Sequence, residues 1–162
     1  MESNRPTVVV GVDGSEPSFA ALDWAVAEAV SRQARLRVVH GYVWPLYRVE
    51  LGASPYGPQD GGLRAAADAI VAEAVQRARA AAPELAVDGV LDVGPAVPAL
   101  LGEASSADLL VVGSRGLGGF AGLLLGSVSG QVAAHATCPV LVVRPNEHEF
   151  VLQDPVGVET RM

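Results

Sequence analysis

The sequence predicts an α/β fold: an open, mostly parallel, five-stranded sheet with helices on both faces. Three observations lead there. Short apolar segments alternate with longer segments of helical periodicity, with no internal repeat; strands that alternate with helices pair in parallel through crossover connections. Two apolar segments, Val8-Val9-Val10 and Leu109-Leu110-Val111-Val112, are unbroken, as suits parallel strands covered on both faces. Glycine-containing turns follow two of the strands, at Gly11-Val12-Asp13-Gly14-Ser15 and from Gly113 to Gly126. In open sheets of this class ligands bind at carboxyl ends of strands.

The first strand is expected over Thr7–Val12. A helix follows from about Pro17 to Gln33, with Ser15 placed to cap it and Pro17 suited to its first turn. Leu22, Val26, Ala29 and Val30 recur at helical spacing and predict its buried stripe. The second strand is expected near Leu36–Tyr42, followed by a Pro- and Gly-rich loop from Trp44 to Gly62, long for a compact domain. The second helix spans about Leu63–Ala82, with a stripe of Leu63, Ala67, Ile70, Val71, Ala74 and Ala78, and stops before Pro83. A third strand near Ala86–Val93 and a short helix over Val97–Ser105 come next. The fourth strand is Asp108–Val112, the last helix about Ser127–Ala136, and the fifth strand Val140–Val143. From Pro145 onward the chain reads as a polar tail.

Composition narrows the function. The 162 residues are half hydrophobic and 18% charged, with a mean hydropathy of +0.32, too apolar for a disordered chain. No apolar run approaches the roughly 18 residues of a membrane span. Met1 to Pro6 is polar and lacks an apolar signal core, so a cytoplasmic location is expected. The formal charge is −7, and no basic stripe is present to neutralise a nucleic-acid backbone. All eleven positive side chains are arginines. Without lysine there is no Walker A loop, no Schiff base and no Ser–Lys pair. The single cysteine, Cys138, excludes an intramolecular disulfide and a thiolate zinc cluster. It is expected to be a buried, inert thiol. His40, His135 and His148 are too dispersed for a metal site, and His40 is expected to hold a backbone hydrogen bond.

The stretch from Gly113 to Ser129 leaves a strand and ends at a helix start. Its glycines permit positive φ and close approach of backbone to a ligand. Free N–H groups in such turns form anion-binding nests, and a helix N-terminus adds unpaired N–H groups and a positive dipole end. Ser127 and Ser129 add hydroxyls. Phosphate can therefore be held here mostly by backbone. Glycine content alone leaves open a plainer reading, in which the glycines serve turns and the serines cap the helix. Gly116-Leu117-Gly118-Gly119-Phe120-Ala121 also fits the dinucleotide pattern G-x-G-x-x-A, but it follows the fourth strand and lacks an acidic residue about 20 positions on.

Gly113-x-x-Gly116, nine residues and Gly126-Ser127 together resemble the nucleotide-binding signature of the universal stress protein family, ATP-binding subtype. Gly11-Val12-Asp13-Gly14-Ser15 is similar to that family's first strand and loop, and Cys138-Pro139-Val140-Leu141-Val142-Val143 to its last strand. The resemblance implies a Rossmann-like domain over 7–145 between terminal tails. It further implies the strand order 3-2-1-4-5, a homodimer through the last strand, and ATP (or ADP or AMP) across the ends of strands one and four. It places Gly113, Gly116, Gly126, Ser127, Val128 and Ser129 at the phosphates, Val12 and Gly41 at the adenine, and Val112 beside the nucleoside. Gly41 stands where the family usually carries Ala or Val, which implies less surface on the base. Asp13 matches an acidic residue near the ribose and phosphates; a carboxylate there calls for Mg²⁺ shared with the phosphates, whereas the residue read by itself forms an Asx-turn before the helix.

The function expected is thus an ATP-binding stress-response module with slow or absent hydrolysis, since no general base accompanies the cradle. The alternatives are a nucleotide hydrolase or nucleotidyl transferase on the same scaffold, and a dimeric interaction protein that no longer binds nucleotide.

Overall fold

The computed structural model describes residues 5–43, 62–115 and 125–144. Along them run β1 (Thr7–Gly11), α1 (Glu16–Ser31), β2 (Arg35–Tyr42), α2 (Leu63–Ala81), β3 (Val87–Val93), α3 (Ala96–Ala104), β4 (Leu109–Gly113), α4 (Ser127–His135) and β5 (Val140–Val143). The strands form one sheet in the order β3-β2-β1-β4-β5, parallel throughout. Fold class and strand order are those expected. The loop over 44–61 with Trp44, the stretch 116–124 with Gly116 and the G-x-G-x-x-A pattern, residues 1–4, and the tail from 145 with His148 lie outside the described residues.

Successive side chains of a strand point to opposite faces, and here each face has its own core. On one face Val8, Val10, Leu36, Val38, Leu109 and Val111 pack with Phe19, Leu22, Ala25 and Ala29 of α1 and Ala74 and Ala78 of α2. On the other, Val9, Val39, Leu110 and Val112 pack with Ala99, Leu100 and Ala104 of α3 and Val132 of α4. The unbroken valine and leucine runs are explained: both faces of the central strands are covered.

Local signals set the ends of α1. Ser15 is its N-cap and accepts the Ser18 N–H at 3.3 Å, and Pro17 stands in the first turn. At the far end Gln33 adopts φ 55°, with Gln33 N–H bonded to Val30 O and Ala34 N–H to Ala29 O. That pairing closes the last carbonyls, a job usually given to glycine. Two expected core positions are corrected. Val30 is 53% exposed and Leu63 is 37% exposed, because each sits at a helix end where the turn rotates beyond the neighbouring helix or the sheet.

The order reverses between β1 and β4. The β1–β4 ladder reaches Val10↔Val111, while Val12, expected to end the strand, bonds through its N–H to Val39 O at 2.9 Å beyond the end of β1. The chain thus follows β2 away from β4, and a crevice opens between the two carboxyl ends.

Candidate functional site

The crevice is a cavity of about 300 Å³. Its floor is the carboxyl ends of β1 and β4, with Gly11, Val12, Val112 and Gly113. One wall is apolar, made by Val39 and Gly41 of β2 and by Ala96 and Leu100 of α3. The opposite end is polar, made by Gly126, Ser127, Val128 and Ser129 at the start of α4, with Arg115, Asp13 and Ser18.

The α4 N-terminus is uncapped among the described residues. Its N-cap is Gly126, with no side-chain cap, so the reading in which serines cap this helix is not what forms. Gly130 N–H bonds to Gly126 O and begins the helical ladder. The N–H groups of Ser127, Val128 and Ser129 precede that ladder, as donors of a helix start do, and have no backbone acceptor among the described residues. Ser127 and Val128 are exposed. Ser129 differs. It is 2% exposed, and its Oγ donates toward Ser114 O at 3.0 Å and Gly126 O at 3.2 Å. A serine hydroxyl has one hydrogen to give, so the expected role of this hydroxyl as a phosphate donor is corrected, while its backbone N–H remains at the cavity end.

Asp13 is fastened from its own loop. Its Oδ1 accepts the Ser15 N–H at 2.9 Å and the Ser15 Oγ–H, the Asx-turn expected from local sequence. Asp13 nevertheless lines the cavity. Its backbone N–H is accepted by Ser18 Oγ at 3.3 Å, and Ser18 Oγ donates to Ser15 O at 2.8 Å. Gly14 holds φ +83° between them, with Ile70 of α2 filling the space beside it.

Gly41 has a second reason to be glycine. A Cβ there would stand 2.6 Å from Ala96 Cα and 2.8 Å from Ala96 N. The space that Ala or Val would occupy is therefore filled by the backbone of α3, and the expected loss of surface at this wall is made up by Ala96. Gly11 plays a similar part, its Cβ position lying 3.0 Å from the Leu100 methyls.

Asp13 and Arg115 are the charged side chains of the lining among the described residues. The two groups whose acidity shifts lie elsewhere. Burial raises the Cys138 thiol, and the hydrogen bond that Arg77 donates to Asp23 raises the guanidinium. No cluster of three metal-ligating side chains occurs among the described residues. His40 Nδ1 donates to Val12 O at 2.7 Å, as the carbonyl can only accept. It is a structural histidine that anchors the β1 end.

A model of the universal stress protein family matches residues 4–144. The chain belongs to the universal stress protein family. It is 39% identical over 143 residues to a universal stress protein of Mycolicibacterium smegmatis, a match covering 88% of this chain and 47% of the relative. The chain thus spans about half the length of the curated relatives it matches. Among solved structures it is similar to a universal stress protein in complex with cAMP, 36% identical with a TM-score of 0.65, over 88% of this chain and 98% of that one. Universal stress protein UspA from Lactobacillus plantarum is 26% identical, TM-score 0.67, over 86% and 97% of the two chains.

Nine of the ten residues that the family resemblance singles out in this universal stress protein surround the one cavity. The tenth, Gly116, lies outside the described residues. The sequence did not assign Gly11, Ser18, Val39, Ala96, Leu100 or Arg115 to the site, though all line it. The serine spacing Ser15-x-x-Ser18 was a readable signal for Ser18. Nothing local marks Ala96 and Leu100, whose place depends on how α3 lies on the sheet.

Proposed function

We propose that this universal stress protein is an adenine-nucleotide-binding regulatory module whose ligand is ATP. The observation that carries the reading is the α4 N-terminus, uncapped among the described residues, facing an apolar slot across one cavity. Backbone N–H groups and the helix dipole hold the phosphates, with Gly113, Gly126, Ser127, Val128 and the Ser129 N–H at that end and Gly116 in the same loop. Val12, Gly41 and Val112 pack on the nucleoside. The Asp13 carboxylate fits a Mg²⁺ that the phosphates share, and magnesium bound by one carboxylate plus phosphate needs no protein cage. When bound, that ion neutralises phosphate charge beside Asp13.

The relative crystallised with cAMP favours a second ligand within the same reading, the cyclic monophosphate. Mass spectrometry of small molecules released by denaturing the purified protein, followed by calorimetric titration with ATP, ADP, AMP and cAMP, tests both. ATP released and bound more tightly than cAMP supports the first ligand, and the reverse order the second. No adenine nucleotide released and none bound overturns the function and leaves the interaction-protein alternative.

ATP is bound here rather than consumed. Asp13 is the one carboxylate of the lining among the described residues, and its Oδ1 already accepts two hydrogen bonds, a poor start for a general base. Turnover of labelled ATP with Mg²⁺ is expected far below the roughly 1 s⁻¹ at the slow end of ordinary enzymes; a rate above it establishes the hydrolase reading. We place the protein in the cytoplasm; no described helix is long and apolar enough to cross a membrane. A homodimer through β5 completes the reading, since this four-residue apolar strand is an edge of the sheet and exposed edges need covering.

A further inference from the structure

The neck of the glycine-rich segment is closed by a single carbonyl. Ser114 O, at the exit from β4, accepts the Gly126 N–H at 2.6 Å and the Ser129 Oγ–H at 3.0 Å. Ser114 itself is buried and tied by its N–H to Val143 O of β5 at 2.7 Å. The two ends of the segment, twelve positions apart from 114 to 126, are thereby clamped to each other and to the edge strand. The clamp is tight: a Cβ on Gly126 would lie 3.3 Å from Ser114 O and 3.6 Å from Ser129 Oγ. Gly126 has φ −68°, so it is glycine for space and not for conformation.

We propose that the Ser129 hydroxyl is a positioning group for ligand binding: it latches the segment neck and aims the first N–H groups of α4, its own residue's included, at the cavity, while the hydroxyl does not touch the ligand. The two serines of Gly126-Ser127-Val128-Ser129 then divide the work. Ser127, exposed at the cavity, offers its hydroxyl outward, and Ser129, buried, offers its hydroxyl inward. Two donors on one carbonyl use both of its lone pairs, so removing either leaves Ser114 O less satisfied in a buried place. The inference deepens the nucleotide reading and rests on it for the affinity it predicts, but the latch is testable without any ligand.

The test is amide hydrogen exchange by NMR on the whole chain without nucleotide, paired with ATP and cAMP titrations. In the wild type the Gly126 amide is expected to be protected relative to Ser127, which has no acceptor among the described residues. In Ser129→Ala exchange at Gly126 is expected to rise roughly five- to tenfold, the scale of one hydrogen bond, while Val9 and Val38 in the core exchange as before. Affinity for the nucleotide that the wild type binds falls by a similar factor. Ser127→Ala leaves Gly126 exchange unchanged without ligand. Unchanged Gly126 exchange in Ser129→Ala overturns the latch, and so does faster exchange with unaltered affinity. Should Ser129→Ala fail to fold, an unprotected Gly126 amide in the wild type is the overturning result. A wild type that binds neither nucleotide sinks the functional reading instead, and the exchange comparison still decides the latch.

Discussion

Gly41 and Cys138 show how a single residue's environment decides its chemistry. At Gly41 the obstacle to a side chain is backbone, Ala96 Cα at 2.6 Å, which cannot swing aside as a rotamer would. Gly41→Ala should push the first turn of α3 off the sheet and destabilise the protein by about 1–3 kcal/mol, the usual range for overpacking. Urea unfolding measures it; a variant as stable as the wild type would show that α3 yields freely. Cys138 is half-buried, packed against the core on the α3 and α4 face of the sheet. Burial disfavours the thiolate and raises its pKa. The folded state thus holds this proton more tightly than the unfolded chain does. The resulting stability is present below the ordinary thiol pKa and is lost as pH rises through the folded value. Alkylation by iodoacetamide should reach half its maximal rate at a higher pH in the folded protein than in the urea-unfolded one. The sequence led to the expectation of an inert thiol. The expected full burial of Cys138 is corrected: the side chain is buried only to an intermediate degree.

Between elements, α1 and α2 are clipped by Arg77, which donates to both Asp23 oxygens at 3.0 and 2.6 Å and stands 5.3 Å over the Phe19 ring. The pair is partly exposed, with 44% and 51% of the side chains accessible, so solvent screens it. A double-mutant cycle with Asp23→Ala and Arg77→Ala should give a coupling of about 0.2–1 kcal/mol that shrinks with added salt. A larger, salt-insensitive coupling would mean that the pair is shielded from solvent more than its exposure implies. No sequence pattern pairs positions 23 and 77; they meet because α1 and α2 lie side by side on one face. The helices themselves were legible: Ser15, Pro17 and Pro83 act within a few residues, and local signals suffice for local structure. The wrongly expected burial of Val30 and Leu63 has the same root, since helical spacing marks a stripe but not where along the helix its covering neighbour ends.

For the whole molecule the proposed dimer rests on the β5 edge of the sheet. Light scattering at micromolar concentration should give twice the chain mass, and the mass of a single chain would remove the proposed dimer. Alternating runs of strand and helix, the unbroken valines of β1 and β4, and the glycines flanking the crevice are written in neighbouring residues, and through them the chain determined its α/β class and the two strand ends where a site would form. Family resemblance then supplied the order of the strands. Only the folded chain decided that α3 fills the place of a Gly41 side chain, that Ser129 turns its hydroxyl to Ser114 and not outward, and that Ala96 and Leu100 share the cavity. Each of these depends on contacts between segments far apart along the chain. Such contacts are set by the packing of two whole faces against the sheet, and no short stretch of sequence carries that information.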